Sequence, residues 1–386
     1  MSAAVSTQFP EQPLPAWRRA VLKVGSSLLT DAGALTDRHA RALAGFVAAS
    51  RAAGREVVLV SSGAVAAGRA QLPQAALRGN GLVLRQALAA LGQTRMIALW
   101  QGLLDAPVAQ VLLSHDDLRN RRRYLNARNT LLELLRLQAV PVVNENDTVA
   151  VEELKLGDND NLAAIVAALV DADILLIASD VDGLYSAHPQ CDPNAAAVPE
   201  VAAITPQILA MAGGAGSVQG TGGMRTKLEA AGKAANAGIA TALFNGSAHA
   251  AVDKLARGVF HGTWFAAAGT RLAARKYWLR HAPSSGGTIR VDAGAARAVI
   301  GGASLLPGGI AGVDGEFSRG DIVAVAATDQ GIAHAIARGL CQYAAAEVRL
   351  IAGRHTRDME TVLGFSYGDS VIRRDDLVLL VAAMPA

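Results

Sequence analysis

Cysteine is scarce in this chain. Its 386 residues include two, Cys191 and Cys341, far apart and without a CxxC pair, so neither a disulfide framework nor a zinc signature is present. The eight histidines are scattered, with no HxH or HExxH spacing. Charge is also sparse. Charged residues make up 18% of the chain, against about 25% in ordinary globular domains. Neither part of the chain is a basic block: residues 271–386 hold 13 Lys+Arg against 11 Asp+Glu, and the first 270 hold 23 against 22. The net charge of +3 is therefore spread thinly, which excludes nucleic-acid binding by bulk charge alone.

Long apolar runs are missing too. Leu162–Val170 is stopped by Asp171 and Asp173. Leu377–Ala386 is far short of the about 20 residues that a membrane span takes. Between Gln8 and Arg19, where a signal peptide would carry its apolar core, stand three prolines and several charges. The expectation is a cytoplasmic protein with no membrane association. Two nucleotide fingerprints are absent as well. The glycine-rich Gly220–Lys227 lacks the GK[ST] ending of a P-loop, and Gly214–Gly220 fails GxGxxG because Gln219 holds the last glycine position.

What is present is an Ala-rich, 51% hydrophobic chain long enough for two domains. Residues 1–16 read as a mobile tail. Short apolar runs then alternate with helical stretches. The expected strands are Ala20–Val24, Glu56–Ser61, Pro107–Leu113, Val140–Asn144, Asp173–Ser179 and Ile239–Phe244. The expected helices are Arg38–Ala53, Leu82–Gln101, Tyr124–Gln138, Asn159–Val170 and Met224–Ala237. This alternation predicts an α/β fold: a mainly parallel sheet between two helical layers, with ligands beyond the carboxyl ends of the strands. The first domain should run over 17–268, with a linker at 269–287. Residues 288–386 change texture and predict a small β-rich domain, with strands at Thr288–Val291, Asp321–Ala326, Ile332–Ala337 and Glu347–Leu350.

The strand ends carry the chemistry. Leu22-Lys23-Val24-Gly25 sets a lysine inside an apolar strand, a costly burial unless an anion meets it; an edge lysine reaching solvent would look the same. Ser61-Ser62-Gly63-Ala64 offers free N–H groups before a helix, as an anion site or an ordinary cap would. Asn144-Glu145-Asn146-Asp147 and Asp158-Asn159-Asp160-Asn161 supply donors and acceptors at adjacent loop ends. Such a pair suits a small zwitterion with an ammonium and two carboxylates. Ser179-Asp180-Val181-Asp182-Gly183 follows a further strand, and Gly220–Lys227 forms a glycine-rich cradle ending in lysine.

In order and spacing these pieces resemble the amino-acid kinase superfamily, and within it the branch that phosphorylates free glutamate. The matching segments are KVGSS, SSGAVAAG, YLNAR, VNENDTV, GDNDN, SDVDGLY and GTGGMRTK, then ASLLPGGI and FSRGD in the second domain. The resemblance covers about Arg19 to Asp376. It implies a three-layer αβα kinase domain followed by a PUA-like domain, and transfer of the ATP γ-phosphate to the side-chain carboxylate of L-glutamate. It implies Lys23, Asp160 and Lys227 as catalytic, with Lys23 on the ATP phosphates and Asp160 orienting the two lysines. Ser62, Asp147 and Asn159 would bind glutamate. Ser179, Asp180, Thr221, Gly222, Gly223, Met224, Arg225, Thr226 and Lys227 would contact ATP. Arg225 departs from the family, where a smaller residue is common. Mg2+ is the implied cofactor, with ligands the sequence does not name. Proline as feedback inhibitor, a homo-oligomer and transient contact with glutamyl phosphate reductase are further implications. The competing readings are a superfamily kinase acting on N-acetylglutamate, aspartate, carbamate or UMP, and an RNA-binding protein led by the PUA-like domain.

Overall fold

A computed structural model describes residues 8–31, 33–73, 77, 81–150, 159–189, 192, 194–212, 223–270, 276, 279, 286–329 and 332–380. The chain divides into two compact units between Thr270 and Arg271.

The first unit is built on an eight-stranded sheet. Its main elements in chain order are β1 (Glu11–Pro13), β2 (Arg19–Val24), α1 (Ala40–Ala52), β3 (Glu56–Ser61), α2 (Ala64–Arg69), α3 (Leu82–Leu103), β4 (Val108–Leu113), α4 (Arg121–Arg136), β5 (Val140–Glu145), α5 (Asn159–Leu169), β6 (Ile174–Ser179), β7 (Glu200–Val201), α6 (Met224–Asn236), β8 (Ala240–Asn245), α7 (His249–Ala256), β9 (Val259–His261) and β10 (Thr263–Phe265). The sheet order is β7-β10-β8-β6-β2-β3-β5-β4. From β8 to β4 all neighbours are parallel, whereas β10 runs antiparallel to β8.

Both faces of the parallel strands are apolar, because helices cover both. Ala20, Leu22 and Val24 of β2 face one core with Leu43 and Val47 of α1, Met96 and Trp100 of α3, and Val252 and Leu255 of α7. Val21 faces the other core, with Leu131 of α4, Leu162 and Val166 of α5, and Leu228 and Ala231 of α6. The period-2 alternation of a strand thus directs Lys23 to the face that α5 and α6 cover.

Residues 8–16, expected as part of a mobile tail, are instead paired and packed. β1 pairs antiparallel with β9, aligning Gln12 with Phe260. Gln12 Nε2 donates to the Gly262 carbonyl at 3.0 Å, and Lys254 reaches Glu11 at 2.7 Å. Phe9 and Leu14 are buried, and the Phe9 ring meets Tyr185 edge-on at 5.1 Å. A Cβ on Gly183 would lie 2.6 Å from Phe9, so glycine makes the seat for that ring. Proline is tolerated here because β1 is an edge strand, where a missing N–H leaves no gap in a ladder.

The second unit holds a five-stranded sheet of β11 (Thr288–Val291), β12 (Ile310–Asp314), β13 (Ile322–Asp329), β14 (Ile332–Leu340) and β15 (Leu377–Leu379), ordered β12-β11-β13-β14-β15. Glu347–Leu350, expected as a strand, instead lies within helix α8 (Ala345–Ile351). Its buried residues Ala345, Val348 and Ile351 recur every three positions, a helical spacing that a four-residue window hides. Glu347 reinforces the first turn by accepting the Ala344 N–H at 2.7 Å. Among the described residues no helix is long and apolar enough to cross a membrane.

Candidate active site

The parallel register brings the carboxyl ends of six strands to one edge of the sheet. Val24 of β2 aligns with Ser61 of β3 and Ala178 of β6, and Asn245 of β8 aligns with Ser179. The second-face helices α5 and α6 start over this edge. Their first turns carry Asn159, Asp160, Thr226 and Lys227.

At the centre is a row of charges. Lys23 Nζ lies 2.6 Å from Asp160 Oδ1, and Lys227 Nζ lies 3.2 Å from Asp160 Oδ2. Asp160 is fully buried at 0% exposure, with Lys23 at 6% and Lys227 at 7%. Two ammonium groups are therefore held on either side of one carboxylate, each oxygen facing one lysine. The Thr226 hydroxyl, 2.9 Å from Asp160 Oδ2 and 2.8 Å from the Gly223 carbonyl, adds a donor. Burial by itself would raise the Asp160 pKa. The charges of Lys23 and Lys227, with hydrogen bonds from Lys23 and Thr226, outweigh it and hold the carboxyl below its ordinary value. Asp160 is thus ionised at neutral pH. The row carries one net positive charge, facing the edge where an anion would arrive.

A second hub lies towards β3 and β5. Asn159 Nδ2 approaches three acceptors: Ser62 Oγ at 2.8 Å, Asn144 Oδ1 at 2.9 Å and the Ser61 carbonyl at 3.2 Å. It ties the ends of two strands to the start of α5. Gly63, with φ of 100°, takes the left-handed conformation that turns the chain from β3 into α2. Ser62 is half-buried beside this hub. Asp147 sits in the turn after β5, where Asn146 N–H bonds the Leu113 carbonyl at 2.9 Å, and it too is half-buried.

On the opposite side, towards β6 and β8, Ser179 closes β6 and is buried, while Asp180 beside it is exposed. The Ser179 hydroxyl donates to Asp180 at 3.2 Å. Gly223 precedes α6 and Met224 is half-buried in its first turn. Arg225 is exposed and pairs with Glu229 one turn on, at 3.0 Å, so it is not part of the central row. Thr221 and Gly222 lie outside the described residues, as do Gly157 and Asp158.

The structure therefore brings together Lys23, Asp160, Thr226 and Lys227, and separately Ser62 and Asn159. Asn144 and Ser61 stand in the polar clusters that the sequence shows at the strand ends, without a role of their own there, and Trp100 carries no sequence signal. Asn144 stands in the same Asn/Asp cluster as Asp147 and accepts from Asn159 at 2.9 Å. Ser61 and Trp100 are joined by a hydrogen bond from the indole N–H at 2.9 Å. A serine closing the otherwise apolar β3 was the available signal.

Among the described residues no cluster of three or more His, Cys, Asp or Glu is arranged to hold a metal. Both Asp160 oxygens are taken by lysines. Magnesium fits such an edge as an ion carried on nucleotide phosphates, where phosphate and water oxygens supply most of its ligands.

The model of the amino acid kinase family matches residues 18–245, and that of the PUA domain matches residues 287–363. The glutamate 5-kinase of Xanthomonas euvesicatoria pv. vesicatoria (strain 85-10) is 64% identical over 362 residues, covering 93% of this chain and 100% of that protein. The glutamate 5-kinase of Xylella fastidiosa (strain M12) is 61% identical over 377 residues, covering 97% of this chain and 98% of that one. Among solved structures, carbamate kinase from Giardia lamblia bound to AMP-PNP aligns with a TM-score of 0.48 at 19% identity, over 65% of this chain and 99% of that chain.

Proposed function

The chain belongs to the amino acid kinase family, in its glutamate 5-kinase group and with a PUA domain, and on that premise we propose that it transfers the terminal phosphoryl group of ATP to the side-chain carboxylate of L-glutamate, giving L-glutamyl 5-phosphate. The observation that carries this reading is the buried row Lys23–Asp160–Lys227, set between a polar hub on one side and the Ser179–Asp180 turn on the other.

The chemistry follows from charge. The acceptor is a carboxylate, already ionised at neutral pH, so its attack on phosphorus needs no general base. The obstacle is repulsion between an anion and a polyanion. Lys23 and Lys227 offset it and stabilise the negative charge on the transferring phosphoryl group. Asp160 keeps the two ammonium groups apart and aimed. Two lysines that near would otherwise repel, and long flexible side chains would be free to swing away. Magnesium bound on the nucleotide supplies further charge neutralisation. Ser62 and Asn159 hold the glutamate carboxylate side, with Asp147 receiving its ammonium group. Ser179, Asp180 and the segment Thr221–Lys227 hold the nucleotide.

Four finer assignments complete the reading: the first step of proline synthesis with feedback inhibition by proline, a homo-oligomer, a cytoplasmic location, and transient contact with glutamyl phosphate reductase. The last would shield an acyl phosphate from water.

The test is ADP formation with ATP, Mg2+ and a panel of L-glutamate, N-acetylglutamate, aspartate, carbamate and UMP. Hydroxylamine trapping identifies the product as an acyl phosphate. Turnover of glutamate with hydroxamate formation is expected. Turnover of another panel member with glutamate inert would overturn the assignment.

A further inference from the structure

The Ser61–Ala64 turn is held from behind by the long helix α3. Trp100 is fully buried, and its indole N–H donates to the equally buried Ser61 hydroxyl at 2.9 Å. Ser61 faces two ways. Its side chain meets α3, while its carbonyl accepts from Asn159 at 3.2 Å, and the hydroxyl of the next residue accepts from the same amide at 2.8 Å. A second grip lies two turns earlier on α3. A Cβ on Gly92 would fall 1.7 Å from the Ala64 carbonyl oxygen, and one on Gly68 would fall 1.9 Å from that of Leu88. The backbones of α2 and α3 therefore touch, with room for hydrogen alone. Eight residues of helix rise about 12 Å, so α3 fixes the turn and the helix it opens at two well-separated points.

A buried indole N–H needs some acceptor, and core satisfaction alone would account for one. The choice of acceptor says more. β3 reads Glu56-Val-Val-Leu-Val-Ser61, apolar at every position from Val57 to Val60. The one polar side chain buried at its end is the one whose own backbone holds Asn159. The nucleotide side is reached from β6, which β2 separates from β3. A slackened Ser61 would therefore be felt by the acceptor and not by the nucleotide.

From this geometry we infer that Trp100 is a positioning residue for the acceptor substrate, acting through Ser61 on Asn159 and Ser62 and setting the affinity for glutamate. The inference rests on the glutamate-kinase reading above and adds to it a residue outside the polar cleft.

The test measures both Michaelis constants, kcat and thermal stability in wild type, Trp100→Phe, Ser61→Ala and the double variant. Met96→Val serves as a control. Met96 is buried on the same helix, and its thioether donates no hydrogen bond. The glutamate KM should rise about five- to tenfold in each single variant, the size expected for one lost positioning hydrogen bond. The ATP KM should stay within about twofold. The double variant should show less than the product of the two single effects, since both act through one bond. Met96→Val should lower stability while leaving the ratio of the two KM values unchanged. Equal rises for both substrates, a Met96→Val profile matching Trp100→Phe, or unchanged KM values in an active enzyme would each overturn the inference. A wild type inert towards glutamate would instead remove the functional reading, and this inference with it.

Discussion

Replacing Asp160 by Asn keeps the shape of the side chain and removes its charge, at a position where the structure leaves little room for compromise. The carboxylate presents one oxygen to Lys23 at 2.6 Å and the other to Lys227 at 3.2 Å and Thr226 at 2.9 Å. An amide can offer one oxygen. Its NH2 group must then face either Lys23 or the Lys227–Thr226 pair, donor against donor. Two nearly buried ammonium groups would also lose their only shared counter-charge among the described contacts. Breaking a buried ion pair by removing one partner costs about 3–5 kcal/mol, and the lysines can relieve part of this by swinging out. Swinging out removes them from the phosphoryl group. Loss of preorganised electrostatic stabilisation lowers kcat by about 10²–10³. Asp160→Asn should therefore lose both kcat and stability. The pH dependence gives an independent check. The folded-state pKa of Asp160 lies below its ordinary value, so its contribution to stability is full above the unfolded pKa and is lost as pH falls through the folded one. The melting-temperature gap between wild type and variant should thus be widest at neutral pH and close in acid. A variant with near-normal kcat and a small, pH-independent shift would refute the reasoning.

Other consequences are open to direct measurement. Asp147→Ala should raise the glutamate KM by the equivalent of about 2–5 kcal/mol, as loss of a desolvated charge partner does, while the ATP KM changes little; the reverse pattern in initial-rate kinetics would remove Asp147 from the acceptor site. A chain ending at Thr270 should keep kinase activity, because every residue proposed to face phosphate precedes it; a folded but inactive product by circular dichroism and ADP assay would show that the second unit takes part in catalysis. Proline, which shares an α-carboxylate and an ammonium with glutamate, should inhibit competitively against glutamate; a purely non-competitive pattern would place its site elsewhere.

The parallel core was legible because its signals are local. Glu56–Ser61 and the start of α5 at Asn159 coincide with the sequence expectation, and the other core strands differ from it by about a residue at an end, the usual uncertainty of element boundaries. Elements defined by partners remote in sequence were harder to see. β1 exists because it pairs with β9, some 250 positions away, and nothing in three prolines announces that. β10 is three residues long, and its antiparallel placement beside β8 is fixed by pairing rather than by pattern. The site shows the same division. Residue types gave the polar clusters, since buried Lys, Asp and Asn are conspicuous in apolar surroundings. The atom-to-atom assignment was not available: that Asn144 accepts from Asn159, or that Thr226 turns its hydroxyl onto Asp160, depends on how α5 and α6 pack.

Strand periodicity explains why one lysine in β2 can serve this chemistry. Val21 and Lys23 share the face covered by α5 and α6, while Leu22 and Val24 point into the opposite core. A slip of one residue in the pairing of β2 would exchange the two sets, sending Lys23 among Leu43, Val47 and Trp100 and an aliphatic side chain towards Asp160. The slip is opposed from both sides, because β2 is hydrogen-bonded to β3 through six aligned residues and to β6 through five. On the proposed function, its central place in the sheet also divides the substrates. The β3–β5 side ends in Ser62, Asn144 and Asn159, and the β6–β8 side ends in Ser179 and Asp180. The acceptor and the nucleotide can then approach from opposite directions and meet over Lys23. Asp160 and Lys227, carried by the two helices packed together on this face, complete the meeting point. The reactive geometry is therefore set by sheet order and by the start positions of two helices, and its chemistry by the three charged side chains they bring within ion-pair distance.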